Sequence, residues 1–367
     1  MIVARIIIDA RESGTSTGRY VDKLVEYLAK RQPRHEVVVL TKSPRLAYIR
    51  SIAPAFEAVA SDYKEFTFAE QLGLKSQIEA LQPDLVHFNA PQQPVLYRGR
   101  VVTTIHDLTT IRFDNPAKNW LVFKLKQLVY RWVVKRVAKK SVKLLAPSRF
   151  VRDDVAAYTS VVKSKIVVTY EAADQITAAA EPLEALKNQQ FIMYVGRPLP
   201  HKNLERLLSA FGRLKQAHPD LKLVLAGQRD FLYKQLERKL ARHTLDGVIF
   251  TGFVSEGALR WLYEHTAAYV FPSLSEGFGL PGLEAMVHGA PVVSSNATCL
   301  PEIYGEAAHY FDPLDVGDMA AKIDEVLSDD QLRIRLIKAG AAQAKKYSWA
   351  KMAGQTLEVY EQALKMS

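Results

Sequence analysis

The fold is indicated most clearly by the stretch AYVFPSLSEGFGLPGLEAMVH, which covers residues 268–288. It begins with the apolar run Ala268–Phe271, which predicts a short buried strand. A loop rich in glycine and serine follows, and Pro281 suits the first position of a helix that continues to His288. A strand, a loop and a helix in this order form the repeating unit of a parallel α/β sheet.

The same alternation of short apolar runs and helical patterns extends outward in both directions. The strands predicted in the first half are Val3–Ile8, Glu36–Leu40, Leu85–Phe88, Val101–Ile105, Lys143–Ala146 and Ile166–Thr169. Those predicted in the second half are Phe191–Val195, Leu221–Ala226, Val248–Thr251, Ala268–Phe271, Pro291–Ser294 and His309–Phe311. We therefore predict an α/β fold of two doubly wound, Rossmann-like domains facing a central cleft. Ligands of such folds bind at the loops that follow the strands.

Length and composition agree with two globular domains. The chain has 367 residues, of which 48% are apolar and 24% are charged, so a disordered or fibrous protein is excluded. We place the first domain at 1–172, a linker at 173–190 and the second domain at 191–349. The single cysteine, Cys299, cannot form an intrachain disulfide, and no Cys/His cluster has metal-binding spacing. The start is too charged for a signal peptide, so we expect a cytoplasmic protein without a membrane span or a metal site.

The positive charge is concentrated in one segment. The net charge is +10, and residues 117–143 contain nine basic residues and no acidic one, which leaves +1 for the rest of the chain. The segment predicts a long helix with one buried face, formed by Phe123, Tyr130, Val134 and Val137. A second apolar stripe is flanked by bases, and these residues are Leu121, Lys124, Leu125, Leu128, Arg131, Trp132 and Lys135. This pattern favours contact with an anionic membrane surface, and the alternative is a second helix contact with a solvated rim. Nucleic acid is not favoured as a partner, because polar residues that could read bases are not interleaved.

One loop in each half has the composition of a phosphate-binding turn. In the first half, Gly14, Thr15 and Gly18 follow the first predicted strand and precede a helix, where backbone N–H groups can approach an anion. In the second half, Arg197 and Lys202 lie five positions apart on a strand-to-helix turn. Two cations at this spacing can clamp a diphosphate, although solvated loop charges give the same pattern.

Two acidic residues accompany the glycine-rich loop that follows Phe271. Glu276 precedes the predicted helix, and Glu284 is expected in its first turn. Carboxylates at the start of a helix suit recognition of ribose hydroxyls, because each can accept two hydrogen bonds. The simplest alternative for Glu284 is compensation of the helix dipole.

The same loop also contains the spacing G-x-G-x-x-G, formed by Gly277, Gly279 and Gly282. This spacing would suit an NAD-dependent dehydrogenase, although it lies in a late strand-helix unit rather than in the first. Elsewhere, His106 ends a strand of the first half, where it could contact a substrate or exchange a proton with it. The alternative for His106 is a structural histidine.

Taken together, these motifs resemble the retaining nucleotide-sugar glycosyltransferases of the GT-B fold, specifically glycosyltransferase family 4. The second half carries most of the resemblance, and the first half resembles the family more loosely. The matching motifs are Gly196-Arg197, Lys202-Asn203-Leu204, Thr251-Gly252-Phe253-Val254, Phe271-Pro272-Ser273, the E-x7-E pair of Glu276 and Glu284, Leu300-Pro301-Glu302 and Ile105-His106-Asp107.

The resemblance implies a role for each matching residue. Arg197 and Lys202 would hold the donor diphosphate, and Glu284 would bind the ribose. Glu276 and the backbone of Phe278, Gly279 and Leu280 would contact the donor sugar, His106 would contact it from the other domain, and the Gly14 loop would complete the phosphate site. We expect His106, Arg197, Lys202 and Glu276 to be the catalytic residues. The resemblance also implies that residues 350–367 return as a helix to the first domain.

The resemblance implies transfer of a hexosyl unit, with retention, from a GDP- or UDP-sugar to an acceptor hydroxyl without a metal or other cofactor. Mannose is mildly favoured as the transferred sugar. The expected acceptor is a lipid-linked or cell-envelope glycan, as in polysaccharide biosynthesis. The enzyme would then lie in the cytoplasm, at the inner face of the plasma membrane. A nucleotide-binding module without turnover remains the alternative function.

Overall fold

The computed structural model describes residues 3–15, 18–115, 119–241 and 245–366. Three features discussed above lie partly outside this range: Met1 and Ile2 of the amino terminus, Ser16 and Thr17 of the Gly14 loop, and Lys118 of the basic segment. The chain divides into two compact units. The first consists of Met1–Ile111, Lys124–Glu171 and Ser348–Ser367, and the second consists of Arg112–Phe123 and Ala172–Tyr347.

Within the described residues, the first unit is built on seven parallel strands. They are β1 (Arg5–Asp9), β2 (Glu36–Thr41), β3 (Glu57–Ala60), β4 (Leu85–Phe88), β5 (Val101–Thr104), β6 (Lys143–Ala146) and β7 (Ile166–Val168). Their order in the sheet is β3-β2-β1-β4-β5-β6-β7. The sequence pattern predicts each of these strands except β3, which is only half-buried and so lacks a long apolar run.

Helices of the first unit connect these strands and cover the sheet. They are α1 (Gly18–Lys30), α2 (Leu46–Ile52), α3 (Lys75–Ala80), α4 (Thr109–Arg112), α5 (Trp120–Lys140) and α6 (Arg149–Thr159). Helix α5 begins in residues that are grouped with the second unit. Its predicted inner face is confirmed, because Phe123, Tyr130, Val134 and Val137 are buried.

The second unit has six parallel strands within the described residues. They are β8 (Phe191–Val195), β9 (Lys222–Ala226), β10 (Val248–Gly252), β11 (Ala268–Phe271), β12 (Val292–Ser295) and β13 (Ala308–Phe311), in the order β10-β9-β8-β11-β12-β13. The helices are α7 (Leu204–Ala217), α8 (Phe231–Leu240), α9 (Glu256–His265), α10 (Leu280–Val287), α11 (Leu300–Tyr304), α12 (Val316–Ser328) and α13 (Asp330–Ala344). The predicted α/β class, with two doubly wound parallel sheets, is confirmed.

The last helix, α14 (Trp349–Lys365), belongs to the first unit and packs against α1. Its Tyr360 hydroxyl lies 2.6 Å from Nδ1 of His87, and the other ring nitrogen of His87 lies 2.8 Å from the Thr104 hydroxyl. Burial disfavours the imidazolium and lowers the pKa of His87 to about 3. The neutral His87 therefore connects Thr104 of β5 with Tyr360 of α14.

Candidate active site

The predicted donor-site residues follow two neighbouring strands of the second sheet. Arg197 and Lys202 lie in the turn after β8, and Glu276 lies in the loop after β11. The chain runs from β8 toward β10 on one side of the sheet and from β11 toward β13 on the other. The boundary between β8 and β11 is thus the topological switch point, where doubly wound folds bind their ligands.

Lys202 and Glu276 meet across this switch point. The Lys202 ammonium donates to Oε1 of Glu276 at 2.6 Å, and the two side chains are only 19% and 12% exposed. The backbone N–H of Glu276 donates to the Thr298 hydroxyl at 3.2 Å, which holds the loop to the segment before α11. A charge-assisted hydrogen bond at this depth orients the ammonium and the carboxylate before a substrate arrives.

Arg197 is held by an aspartate that the sequence motifs did not reveal. Its Nε donates to Oδ2 of Asp230 at 2.5 Å, and the arginine side chain is 57% exposed. Partial burial alone would raise the pKa of Asp230, but the hydrogen bond and charge of Arg197, together with the backbone donors of Tyr233 and Leu232, outweigh it and the pKa is lowered. Asp230 also caps α8, since it accepts from the backbone of Leu232 and Tyr233. An acidic residue just before a helix was the sequence signal for this cap.

Glu284 does not lie in the first turn of its helix, where the sequence pattern predicted it. Helix α10 begins at Leu280, one residue before the predicted start, so Glu284 is its fifth residue. Its side chain is buried, and the Tyr263 hydroxyl donates to Oε2 at 3.5 Å. The ring of Tyr263 stacks on His288, whose Nδ1 is 2.7 Å from the Glu284 carbonyl oxygen. The dipole of the first turn therefore does not account for an acid at this position.

Two glycines of this loop, Gly279 and Gly282, leave the space that a buried tyrosine occupies. Gly279 has φ +88°, in the left-handed region, and its carbonyl accepts from the Tyr304 hydroxyl at 2.5 Å. A Cβ atom on Gly282 would lie 2.3 Å from the same hydroxyl oxygen, and Tyr304 is fully buried. Gly279 and Gly282 of the G-x-G-x-x-G spacing thus serve packing in the fourth strand-helix unit of this sheet, and the spacing gives no support to a dehydrogenase.

The neighbouring Phe278 side chain is buried and packs edge-on against Tyr347. Only the backbone of Phe278 could therefore reach a donor, as the family resemblance implies.

His106 lies in the first unit, where both ring nitrogens face acceptors. Nδ1 is 3.4 Å from a carboxylate oxygen of Glu171, and Nε2 is 3.1 Å from the carbonyl oxygen of Asn89. Burial alone would lower the pKa of His106, but the hydrogen bond and charge of Glu171, together with Asp107 and the Asn89 carbonyl, outweigh it and raise the pKa. Because both partners accept, the imidazolium satisfies this arrangement best. The side chain is 20% exposed, and the ring of Tyr20 packs edge-on against it.

The described residues of the Gly14 loop, also in the first unit, are held by hydrogen bonds within the loop and to neighbouring side chains. Gly14 has φ +79° and Gly18 begins α1, where a Cβ atom would lie 2.4 Å from the Glu12 carbonyl oxygen. The Thr15 hydroxyl donates to that same oxygen at 2.7 Å. Asp22 accepts from the Ser13 hydroxyl, and the Nε of Arg45 donates to this hydroxyl at 3.0 Å. The guanidinium of Arg45 lies beside Gly14. Arg45 is far from Gly14 in the sequence and belongs to no motif identified above.

The second apolar stripe of α5 is exposed to solvent. Its side chains are 57–69% exposed, and they are Leu121, Leu125, Leu128 and Trp132. The alternative of a second helix contact is therefore wrong for the described residues. A separate segment lies against the buried face of α5 rather than the stripe: Phe66, which is 47% exposed, packs against Tyr130 with ring centroids 6.0 Å apart, and the nearby Phe68 is 88% exposed. This segment could not be recognised from sequence, because isolated phenylalanines carry no periodic signal.

The described residues contain neither a membrane-spanning helix nor a cluster of metal ligands. No helix among them is long and apolar enough to cross a membrane. No group of His, Cys, Asp and Glu side chains in the same residues could hold a metal ion.

Comparison with known proteins identifies the family. Residues 175–343 match the family described as glycosyl transferases group 1, and residues 17–175 match the one described as glycosyltransferase family 4. The O-antigen chain mannosyltransferase B of Escherichia coli is 34% identical over 275 residues, which cover 71% of this chain and 70% of the relative. The serotype-specific mannosyltransferase WbdA of E. coli is 34% identical over 246 residues, which cover 61% of this chain but only 29% of that longer protein.

A solved structure extends the likeness to the fold. Anabaena HepE in complex with UDP-glucose has a TM-score of 0.75 and 17% identity, with 98% of this chain and 100% of that chain covered. The predicted GT-B fold is confirmed by such neighbours. On the family matches and the E. coli relative, the chain belongs to the group 1 glycosyltransferases, with an amino-terminal half of the family 4 type.

Proposed function

We propose that this glycosyltransferase moves a mannosyl unit from a nucleotide diphosphate sugar, GDP-mannose before UDP-sugars, to a hydroxyl of a cell-envelope glycan, with retention at the anomeric carbon. The names of the E. coli relatives support mannose and an envelope glycan, and the UDP-glucose complex of HepE supports a nucleotide-sugar donor.

The observation that carries this proposal is the Lys202–Glu276 pair at the switch point of the second sheet. In the proposed reaction, Lys202 and Arg197 stabilise the negative charge that develops on the departing diphosphate. Glu276 orients Lys202 and accepts from hydroxyls of the donor sugar. These protein cations would supply the positive charge that a bound metal ion supplies in other transferases. We therefore expect turnover to persist in EDTA. The His106 imidazolium adds positive charge in the first unit.

A nucleotide panel tests the donor. We expect GDP to raise the melting temperature more than UDP or ADP does, because ligand binding to the folded state stabilises it. We also expect GDP to be released slowly from GDP-mannose without an acceptor. A larger shift with UDP would overturn the choice of mannose. Binding without any turnover, with or without a glycan acceptor, would favour the non-catalytic module.

Glu284→Gln should raise the donor KM by about tenfold or more, because a charged acceptor for the ribose hydroxyls is lost. We expect kcat to change much less, since the ribose contact is made in both ground and transition states. The matched control is Glu256→Gln, which removes an exposed acid from the first turn of α9. Unchanged nucleotide affinity by calorimetry in Glu284→Gln would exclude the ribose role.

We also propose that the exposed stripe of α5 contacts an anionic membrane surface. The flanking Lys124, Arg131 and Lys135 supply the complementary charge, worth about 1 kcal/mol for each base near such a surface. The apolar side chains between them would enter the boundary of the acyl chains. This contact would bring the enzyme to a lipid-linked acceptor.

Vesicle flotation tests the membrane contact. The protein should float with vesicles containing phosphatidylglycerol at low salt, and less with pure phosphatidylcholine. The double variant Leu125→Ser/Trp132→Ser should lower the bound fraction by about tenfold or more, because burial of one large apolar side chain contributes roughly 1.5–3 kcal/mol. The control is Ile334→Ser, a change to an exposed apolar residue of α13. Equal flotation of the double variant and the wild type would exclude α5 as the contact.

A further inference from the structure

A carboxylate and an imidazole form a buried pair in the first unit. His106 lies just after β5, and Glu171 lies just after β7. Nδ1 of His106 is 3.4 Å from a carboxylate oxygen of Glu171, whose side chain is only 6% exposed. Among the described residues, no lysine or arginine pairs with Glu171. A neutral His106 would therefore leave a buried carboxylate without a counter-charge, which is costly.

The second ring nitrogen of His106 also faces an acceptor. Nε2 lies 3.1 Å from the Asn89 carbonyl oxygen, and a carbonyl oxygen can only accept. With a carboxylate at one nitrogen and a carbonyl at the other, both nitrogens need a proton to satisfy their partners. Both N–H groups are then directed at the protein, so this geometry favours a fixed positive charge over a general acid or base.

The orientation of the His106 ring is fixed by neutral side chains. The ring of Tyr20, which is 3% exposed, packs edge-on against it with centroids 4.7 Å apart. The Tyr20 hydroxyl lies 3.1 Å from the Thr104 hydroxyl, which in turn lies 2.8 Å from Nε2 of His87. Burial keeps Tyr20 and His87 uncharged, because it raises the pKa of the phenol and lowers that of the imidazole. This side of the ring therefore supplies packing, and the charge comes from Glu171.

Asp107 also brings negative charge to the His106 ring. One of its carboxylate oxygens, Oδ1, is engaged by the backbone N–H of Thr109 at 2.8 Å, at the start of α4. Burial lowers the pKa of His106, and Glu171, followed by Asp107 and the Asn89 carbonyl, outweighs that effect and raises it. Glu171 is thus the carboxylate that both contacts the ring and contributes most to its positive charge.

We infer that Glu171 is a positioning residue for the proposed transfer: it holds His106 as an oriented imidazolium whose fixed positive charge is needed for turnover. The inference rests on the proposed function, in which positive groups of the protein stabilise the charge that develops during transfer. Turnover should then fall on the alkaline side, as His106 loses its proton. Glu171 sets the pH of this fall, because a nearby opposite charge stabilises the protonated ring.

Glu171→Gln removes the charge and keeps the size of the side chain. His106 should then lose its proton about one pH unit or more lower, the scale of shift that a close opposite charge produces. The alkaline limb of kcat should move to lower pH by the same amount, while the donor KM changes much less. The His106 titration is followed by NMR of the ring protons, assigned by their absence in His106→Gln, and kcat is measured over the same pH range.

Two further variants make the test specific. Glu171→Asp keeps the charge but draws it back by one methylene group, so it should shift both midpoints less than Glu171→Gln does. The matched control is Glu361→Gln, which changes another histidine–glutamate pair of the first unit, with Oε1 of Glu361 2.9 Å from Nε2 of His35. It should leave the His106 titration and the kcat profile unchanged. Melting temperatures show that each variant is folded.

Two results would overturn the inference. One is an unchanged His106 titration in folded Glu171→Gln, which would show that the carboxylate does not hold the proton. The other is a shifted titration with an unchanged alkaline limb of kcat, which would show that turnover does not need the imidazolium. Absence of turnover with every nucleotide sugar would instead contradict the proposed function, and the NMR titration would still show whether Glu171 holds the His106 proton. The two failures are therefore distinguishable.

Discussion

Replacement of Lys202 by alanine should lower kcat by about 10²-fold or more, the scale found when one preorganised group that stabilises developing charge is removed. The side chain is only 19% exposed, and it is oriented by Glu276 at 2.6 Å. The variant loses the ammonium and leaves the Glu276 carboxylate beside the departing diphosphate, where it repels the growing charge. Single-turnover transfer with saturating donor measures this loss directly.

The matched control for Lys202 is Lys187→Ala. Lys187 lies in the same unit, pairs with Glu184, and is 49% exposed, so its removal should leave kcat unchanged. Wild-type kcat in a folded Lys202→Ala protein would remove Lys202 from the proposed mechanism. A rise in the donor KM alone would assign it to binding that is equal in ground and transition states.

Arg11→Met should lower the free energy of unfolding by about 3–5 kcal/mol, because it leaves two buried carboxylates without their counter-ion. Asp9 and Glu70 are 7% and 2% exposed, and burial already raises the pKa of Glu70 despite Arg11. Without the guanidinium, the Glu70 carboxyl group should bind a proton still more readily in the folded state. The folded variant then gains protons relative to the unfolded chain as the pH falls, so the deficit should shrink from pH 7 toward pH 5.

Urea denaturation at the two pH values measures this effect. The control is Arg5→Met, which breaks the exposed pair of Arg5 and Glu36 and should cost no more than about 1 kcal/mol. A loss in Arg11→Met as small as that of the control would show that water solvates Asp9 and Glu70 in the folded protein.

The strands and the buried face of α5 could be predicted from sequence because both depend on local periodicity. Buried parallel strands form short apolar runs, and Tyr130, Val134 and Val137 recur at helical spacing. Strand β3 was missed because its half-buried residues, Glu57–Ala60, include only one large apolar side chain. Periodicity also cannot fix the exact residue at which a helix starts, which is why the pattern predicts Glu284 in the first turn although it is the fifth residue of α10.

The sequence predicts the loop in which each site residue lies, but it does not predict which side chain that residue contacts. Lys202 and Glu276 are 74 positions apart, and their contact depends on the adjacency of β8 and β11. Asp230, the partner of Arg197, comes from a different strand-helix unit. Glu171, the partner of His106, lies at the end of the predicted first domain. Such pairings are set by sheet order, and a single sequence does not encode sheet order as a local pattern.

The return of α14 to the first unit has a consequence for translation. The ribosome releases residues 1–171 long before Tyr360, the partner of buried His87, has been synthesised. The first unit can therefore reach its final packing only after the whole second unit has emerged. Until then, the surface of α1 that α14 covers stays exposed and can bind chaperones. A gene fragment ending at Glu171 would encode a first unit that lacks α14 and cannot complete this packing.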